Sequence, residues 1–187
     1  MHHQSLLTLL HQYHPTDPNE RTMWLDTIAF VTQQPDCFER SLAMGHITGS
    51  AWITSPDRTQ VVLIHHRKLD RWFQPGGHAD GNPDVAAVAM QEAHEETGLT
   101  QLQFVSLPGE PPAIFDVDVH WIPKRANEPA HWHYDIRFLI KANPGEAFIE
   151  SGETKSVQWV ELENIIRFTN EESIWRMVPK MVKTLEK

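Results

Sequence analysis

Apolar residues near the N-terminus recur at helical spacing. Residues 4–14 predict a short helix that Pro15 ends, since proline lacks the amide N–H that a continuing helix needs. Asp17-Pro18-Asn19 predicts the start of a second helix, a capping side chain followed by a first-turn proline. Met23, Trp24, Thr27, Ile28 and Val31 then mark its packed stripe. Past Gly45 the period shortens. Ile47 to Thr54 and Gln60 to His66 predict paired strands across a Ser55-Pro56-Asp57 turn. A turn at Gln74-Pro75-Gly76-Gly77 leads through a loop into a helix from Pro83 to Thr97, with Asn82 as its cap and Gly98 as its left-handed stop. Leu102 to Leu107, Ala113 to Ile122, Ala130 to Lys141 and Ser156 to Val160 predict further strands, and the chain is again helical from Glu171.

Strands on both sides of a central helix predict an α+β fold with α/β/α layering. The 187 residues are enough for one proper core and too few for two. The expected organisation is an N-terminal helical extension, residues 1–44, on a catalytic domain of residues 45–187 that ends in a helix. A net charge of -9 argues against a partner that is a nucleic acid polymer or an anionic membrane, either of which would call for a basic face. It still permits phosphate ligands when cations bridge the charges. Cys37, the single cysteine, excludes an intramolecular disulfide framework and a cysteine zinc cluster, and reads as a small partly buried residue. No apolar run approaches the roughly 18 residues that span a bilayer, and Leu6 to Leu10 lacks the flanks of a signal peptide; the expected location is cytoplasmic. A homodimer is left open.

The chemistry concentrates on the central helix. Glu92, Glu95 and Glu96 stand at i, i+3 and i+4, on the side where Val85, Val88 and Ala89 lie one or two turns earlier. Carboxylates roughly 5–6 Å apart repel by about 3 kcal/mol per pair at an effective dielectric near 20. Gln91 and His94, their neighbours on the helix, bring no fixed positive charge. A shared divalent cation relieves the repulsion, and oxygen ligands favour Mg²⁺ or Mn²⁺. A solvated acidic face is the alternative, and the Gly76-Gly77 turn ahead of the helix favours the site.

In this context Gly77-x5-Pro83-x7-Gln91-Glu92-Ala93-x-Glu95-Glu96-x-Gly98-Leu99 resembles the Nudix box, G-x5-E-x7-R-E-U-x-E-E-x-G-U, where U is a bulky aliphatic residue. Gly77, Glu92, Glu95, Glu96, Gly98 and Leu99 match in register; Pro83 and Gln91 replace the family's Glu and Arg, and Ala93 is small for its position. The resemblance runs loosely from Gly45 to Ile166 and includes Trp159-Val160-Glu161-Leu162. It implies a metal-dependent hydrolase that cuts a diphosphate linkage in a small nucleotide-like substrate. Glu92, Glu95, Glu96 and the Gly77 carbonyl would hold the metal, and Glu95 or Glu96 would help deprotonate water. Glu153, six residues before Trp159, would complete the catalytic set, with Glu150 as its competitor. A binding module that kept the fold and lost its chemistry is the alternative that Pro83 and Gln91 motivate. An isomerase on this scaffold would call for a cysteine near the substrate, and Cys37 lies outside the resembling region.

Arg67 and Arg71, with Lys68, precede the glycine turn and suit phosphate contact. His131, His133 and Asp135 share one face of a strand, and His120 shares a face with Asp116 and Asp118 on the strand before it. Because Trp132, Tyr134 and Ile136 occupy the opposite side, the histidine face either looks to solvent or lines the cleft. Projecting together, these groups could form a second metal site or bind phosphate or sugar groups, and a strand that lines the cleft makes His120 and His133 substrate contacts.

Overall fold

The structure, a computed structural model, describes residues 3–106, 110–125, 129–149 and 151–183. Two helices open it, α1 (Gln4–Gln12) and α2 (Pro18–Gln33). Asp17 caps α2 as expected, its carboxylate accepting the Glu20 amide at 2.9 Å. Strands β1 (Gly45–Thr54), β2 (Gln60–His66), β3 (Arg71–Phe73) and β4 (Gly76–His78) follow, then helix α3 (Val85–Thr97). Strands β5 (Gln103–Phe104), β6 (Ile114–Ile122), β7 (His131–Lys141) and β8 (Thr154–Glu161) come next. A 3-10 segment (Leu162–Arg167) and helix α4 (Glu172–Lys183) close the chain.

Among the described residues these eight strands form one mixed sheet. Its centre is β1, whose ten residues are all buried. It pairs parallel with β7, and antiparallel with β2 and β4; β6 adds to β7, and β8 to β2. Side chains alternate across each strand, so the sheet has two packed faces. On one, Ile47, Ile136 and Phe138 meet Leu6, Leu10, Phe30 and Val31 of α1 and α2, and Val85, Val88 and Ala89 of α3. On the other, Trp52, Leu63 and Leu139 meet Ile174, Met177 and Met181 of α4. This is the expected α/β/α layering. The first two helices share its core, where each fully buried Leu or Ile contributes roughly 1.5–3 kcal/mol.

Most differences from the sequence reading lie at element ends. α3 begins at Val85, not Pro83: the Asn82 side chain accepts the Asp84 amide, and Asp84 caps the helix through the Ala87 amide. Gly98, at φ 74°, ends it as expected. The predicted strand from Leu102 shrinks to Gln103–Phe104, and Leu107 lies outside the described residues. Gly76-Gly77-His78, expected as turn and loop, pairs with Thr48 to Ser50 as β4. Cys37 is wholly buried, and burial pushes its thiol up to about 11.

Candidate functional site

The carboxylates of α3 stand against β4. Gly77 and Glu92 approach so closely that a Cβ on Gly77 would overlap the Glu92 carboxylate. The Gly76 amide donates to Glu96 Oε2 at 2.9 Å, which ties the buried Glu96 to the glycine segment. Glu95 is exposed and accepts from Gln91 Nε2 at 2.8 Å. Gln91 thus supplies an uncharged hold on one of the three glutamates.

Burial pushes the Glu92 carboxyl up to about 7, with the charges of Glu95, Glu153 and Asp80 adding to the effect and Arg40 opposing it. Burial pushes Glu96 up to about 8, against the Gly76 amide and with help from Glu92, Glu153 and Glu95. Glu153 is exposed on the loop before β8, yet its charge reaches both glutamates. Four carboxylates therefore share one neighbourhood. Glu150 lies outside the described residues.

Arg67 ties down the loop that carries Glu153. Its guanidinium donates to the carbonyls of Gly152 (3.1 Å) and Thr154 (2.7 Å), and its amide to the Glu153 carbonyl (2.8 Å). Arg71 forms an ion pair with Glu171 at 2.7 Å. Both arginines expected as phosphate clamps are held by protein partners.

The NUDIX domain family matches residues 45–181, most of the chain. The chain belongs to the Nudix family. Solved structures with the same fold include a C. elegans Ap4A hydrolase in a binary complex, 18% identical at TM-score 0.58, covering 75% of this chain and 97% of that one. A NUDIX-family hydrolase from Clostridium perfringens is 23% identical at TM-score 0.55, with coverage of 75% and 97%. The MutT protein of Methanosarcina mazei Go1 is 19% identical at TM-score 0.53, with coverage of 78% and 99%. No curated protein sequence matches the chain.

Nudix enzymes generally use divalent metals, and the residues here fit one. Two carboxylates are held up to the glycine segment, one buried and one half-buried, with Glu95 and Glu153 beside them. Among the described residues no Lys or Arg forms an ion pair with any of the four. An all-oxygen donor set of like charges is what a hard cation such as Mg²⁺ or Mn²⁺ requires.

The histidine face requires a correction. It does not look to solvent: His131 and Asp135 are 3% and 2% exposed, whereas Trp132 on the opposite side is 41% exposed. β1 and β6 pair with the two edges of β7, and near its start the histidine side is the buried one while Trp132 on the other side stays open. His133 sits among the imidazoles of His46, His78, His120 and His131. Burial and the neighbouring imidazoles hold His46 down to about 4 and lower His133 further. Both ring nitrogens of His46 lack a hydrogen-bond partner among the described residues, an arrangement that costs about 1–3 kcal/mol per buried group. His120 is anchored by Asp118, Nδ1 to Oδ2 at 2.9 Å.

Sequence reasoning missed three features. His46 and His78 join the imidazoles from β1 and β4, which only the strand pairing reveals. Arg40 and Asp80 act electrostatically on both Glu92 and His46, so the carboxylate and imidazole groups are neighbours. Asp135, expected beside the histidines, instead accepts from Thr48 (2.9 Å), Ser50 (2.7 Å) and Arg137 (2.8 Å). Arg137, 2% exposed, also pairs with Asp116 and Asp118 at 3.2 Å each. Arg176 and Lys180 of α4 complete this network, and Lys180 extends it to Glu20 and Tyr13.

Proposed function

We propose that this Nudix-type pyrophosphohydrolase cleaves a diphosphate linkage in a nucleoside diphosphate derivative or a nucleotide triphosphate, by attack of water on phosphorus. The observation that carries this reading is the seating of Glu92 and Glu96 against Gly76-Gly77, with Glu95 and Glu153 close by and, among the described residues, no cationic side chain paired to them.

Glu92, Glu95, Glu96 and the Gly77 carbonyl would hold Mg²⁺ or Mn²⁺. Bound there, the cation supplies Lewis acidity toward phosphoryl oxygen and lowers the pKa of water. The residues supply the rest. Glu96 is kept in place by the Gly76 amide, so its carboxylate meets the reacting groups at a fixed position. Gln91 limits the motion of Glu95 from one turn away. Glu153 is the carboxylate that accepts the proton of the attacking water, on a loop that Arg67 steadies from both sides. His120 is a proposed substrate contact beside this neighbourhood.

The test is a turnover assay across a panel of nucleoside diphosphate derivatives and nucleotide triphosphates with Mg²⁺ or Mn²⁺, reading phosphate or monophosphate release. Release that requires the cation and is lost in Glu96→Gln supports the reading. A protein that binds these compounds and releases nothing from any of them is a binding module, and contradicts it.

A further inference from the structure

Five histidines from four strands collect on one face of the sheet, and the site proposed above uses the chemistry of none of them for metal. β1 and β7 run parallel with His46 opposite His133, and β6 places His120 opposite His133 from the other flank. His131 lies two residues along β7 on the same face, and His78 comes from β4, opposite Thr48. We propose that His46, His131 and His133 form a second cation site, for a late first-row divalent ion of the Zn²⁺ class, separate from the carboxylates of α3.

The three ligand nitrogens lie within 4.8 Å of one another. His131 Nδ1 stands 2.8 Å from the Pro129 carbonyl, which can only accept, so this nitrogen carries the proton and Nε2 keeps its lone pair. A carbonyl holding the far ring nitrogen is the usual way a protein fixes the tautomer of a metal-binding histidine. His131 Nε2 is directed at His133 Nε2, 3.0 Å away. Two nitrogens each 2.0–2.1 Å from one tetrahedral ion stand about 3.3 Å apart, so these two rings are already near the required span.

His46 is the independent observation. It is 1% exposed, and among the described residues neither of its ring nitrogens has a hydrogen-bond partner. Its ring is 4.8 Å from His131 and 4.9 Å from His133, centroid to centroid. Packing alone would favour an apolar residue at such a position, because a buried polar group without a partner is destabilising. An ion shared with His131 and His133 gives the His46 lone pair its partner. His120, anchored by Asp118, lies 5.4 Å from His133 by ring centroids, next to this group. Imidazole donors select Zn²⁺, Co²⁺, Ni²⁺ or Cu²⁺ over Mg²⁺ and Mn²⁺, the reverse of the carboxylates' preference. The two sites therefore sort cations by donor type.

Metal-free full-length protein is titrated with Co²⁺ in the presence of excess Mg²⁺, which keeps the carboxylates occupied. Uptake is followed by visible absorption and by X-ray absorption at the cobalt edge. The expected result is one Co²⁺ per chain, an imidazole scattering signature, and displacement by Zn²⁺. His46→Gln and His133→Gln should each weaken uptake by about 100-fold or more, the upper end of what losing even an outer-shell partner costs. Glu96→Gln should leave it unchanged. Circular dichroism and melting curves check that each variant is folded, and His131→Gln replaces either one that is not. The proposal is overturned if no Co²⁺ binds beyond what Mg²⁺ displaces. Uptake that survives the histidine substitutions, or that Glu96→Gln removes, overturns it equally.

Discussion

Two clusters of buried acids in this molecule carry opposite charge logic. Around Arg137, the carboxylates of Asp116, Asp118 and Asp135 are met by Arg137, Arg176 and Lys180, with each acid in direct contact with a cation. On α3, Glu92 and Glu96 share their surroundings with Glu95 and Glu153 and with no paired cation among the described residues. The consequence is visible in proton affinity. Arg176, Arg137 and Lys180 outweigh burial and lower Asp116, and Arg137, His120 and Arg176 outweigh burial and lower Asp118. Burial and like charge push Glu92 and Glu96 up. A compensated cluster stabilises a fold; an uncompensated one, at a cost to the fold, keeps a place for something that is not protein.

The sharpest way to break this comparison is Glu96→Gln. Activity should fall by roughly 10²–10⁴-fold, the range for a positioned catalytic group, measured as kcat with saturating Mg²⁺. The fold should persist, because the amide oxygen can still accept from Gly76. Near wild-type turnover would remove Glu96 from the site. Arg137→Met should act in the other direction, on stability. It leaves three buried carboxylates short of their main partner, and the expected loss is about 3–5 kcal/mol in urea unfolding. A loss below about 1 kcal/mol would mean that the network is not structural.

The two clusters should also answer pH with opposite signs. A carboxyl whose folded pKa is raised stabilises below its unfolded value and loses that contribution as pH climbs through the folded value. In metal-free protein, the Glu92 and Glu96 contribution is therefore present below about pH 4.5 and lost as pH climbs through about 7 and 8. The expected loss is on the order of a few kcal/mol, and Glu96→Gln should flatten it. Asp116 and Asp118 have lowered values, so their contribution is present above about pH 4 and lost as pH falls. Urea unfolding with a chelator from pH 4 to 8 measures the first effect, and acid unfolding the second. Smallest is Arg67→Ala, which frees the Glu153 loop. Stability should drop by about 1 kcal/mol, a hydrogen-bond-sized change, while kcat falls more than KM rises.

The contrast also explains what the sequence could reveal. The α3 carboxylates were legible because spacing along one helix fixes which side chains are neighbours. Glu92 and Glu96 lie as expected, although Glu95 turns outward to Gln91. The helices and longer strands were legible from apolar period, and the start of α3 was misplaced because Asn82 and Asp84 both offer capping side chains. β4 was missed since Gly-Gly-His has no strand-forming residue, and it exists only because β1 pairs with it. The charge network and the imidazole group were not legible. Their members come from β1, β4, β6, β7, α2 and α4, and no local rule brings Arg176 to Asp116 or His46 to His133. For the same reason the histidine strand was open to a solvent reading until its neighbours covered it.

Negative side chains gathered on α3 are tolerable because a divalent ion joins them. Crystals grown with Mn²⁺ test it directly, since the anomalous signal of manganese locates the ion without reference to the protein. Density bridging Glu92 and Glu96 beside the Gly77 carbonyl is the predicted result. No anomalous peak there, with both carboxylates turned into bulk water, would contradict it.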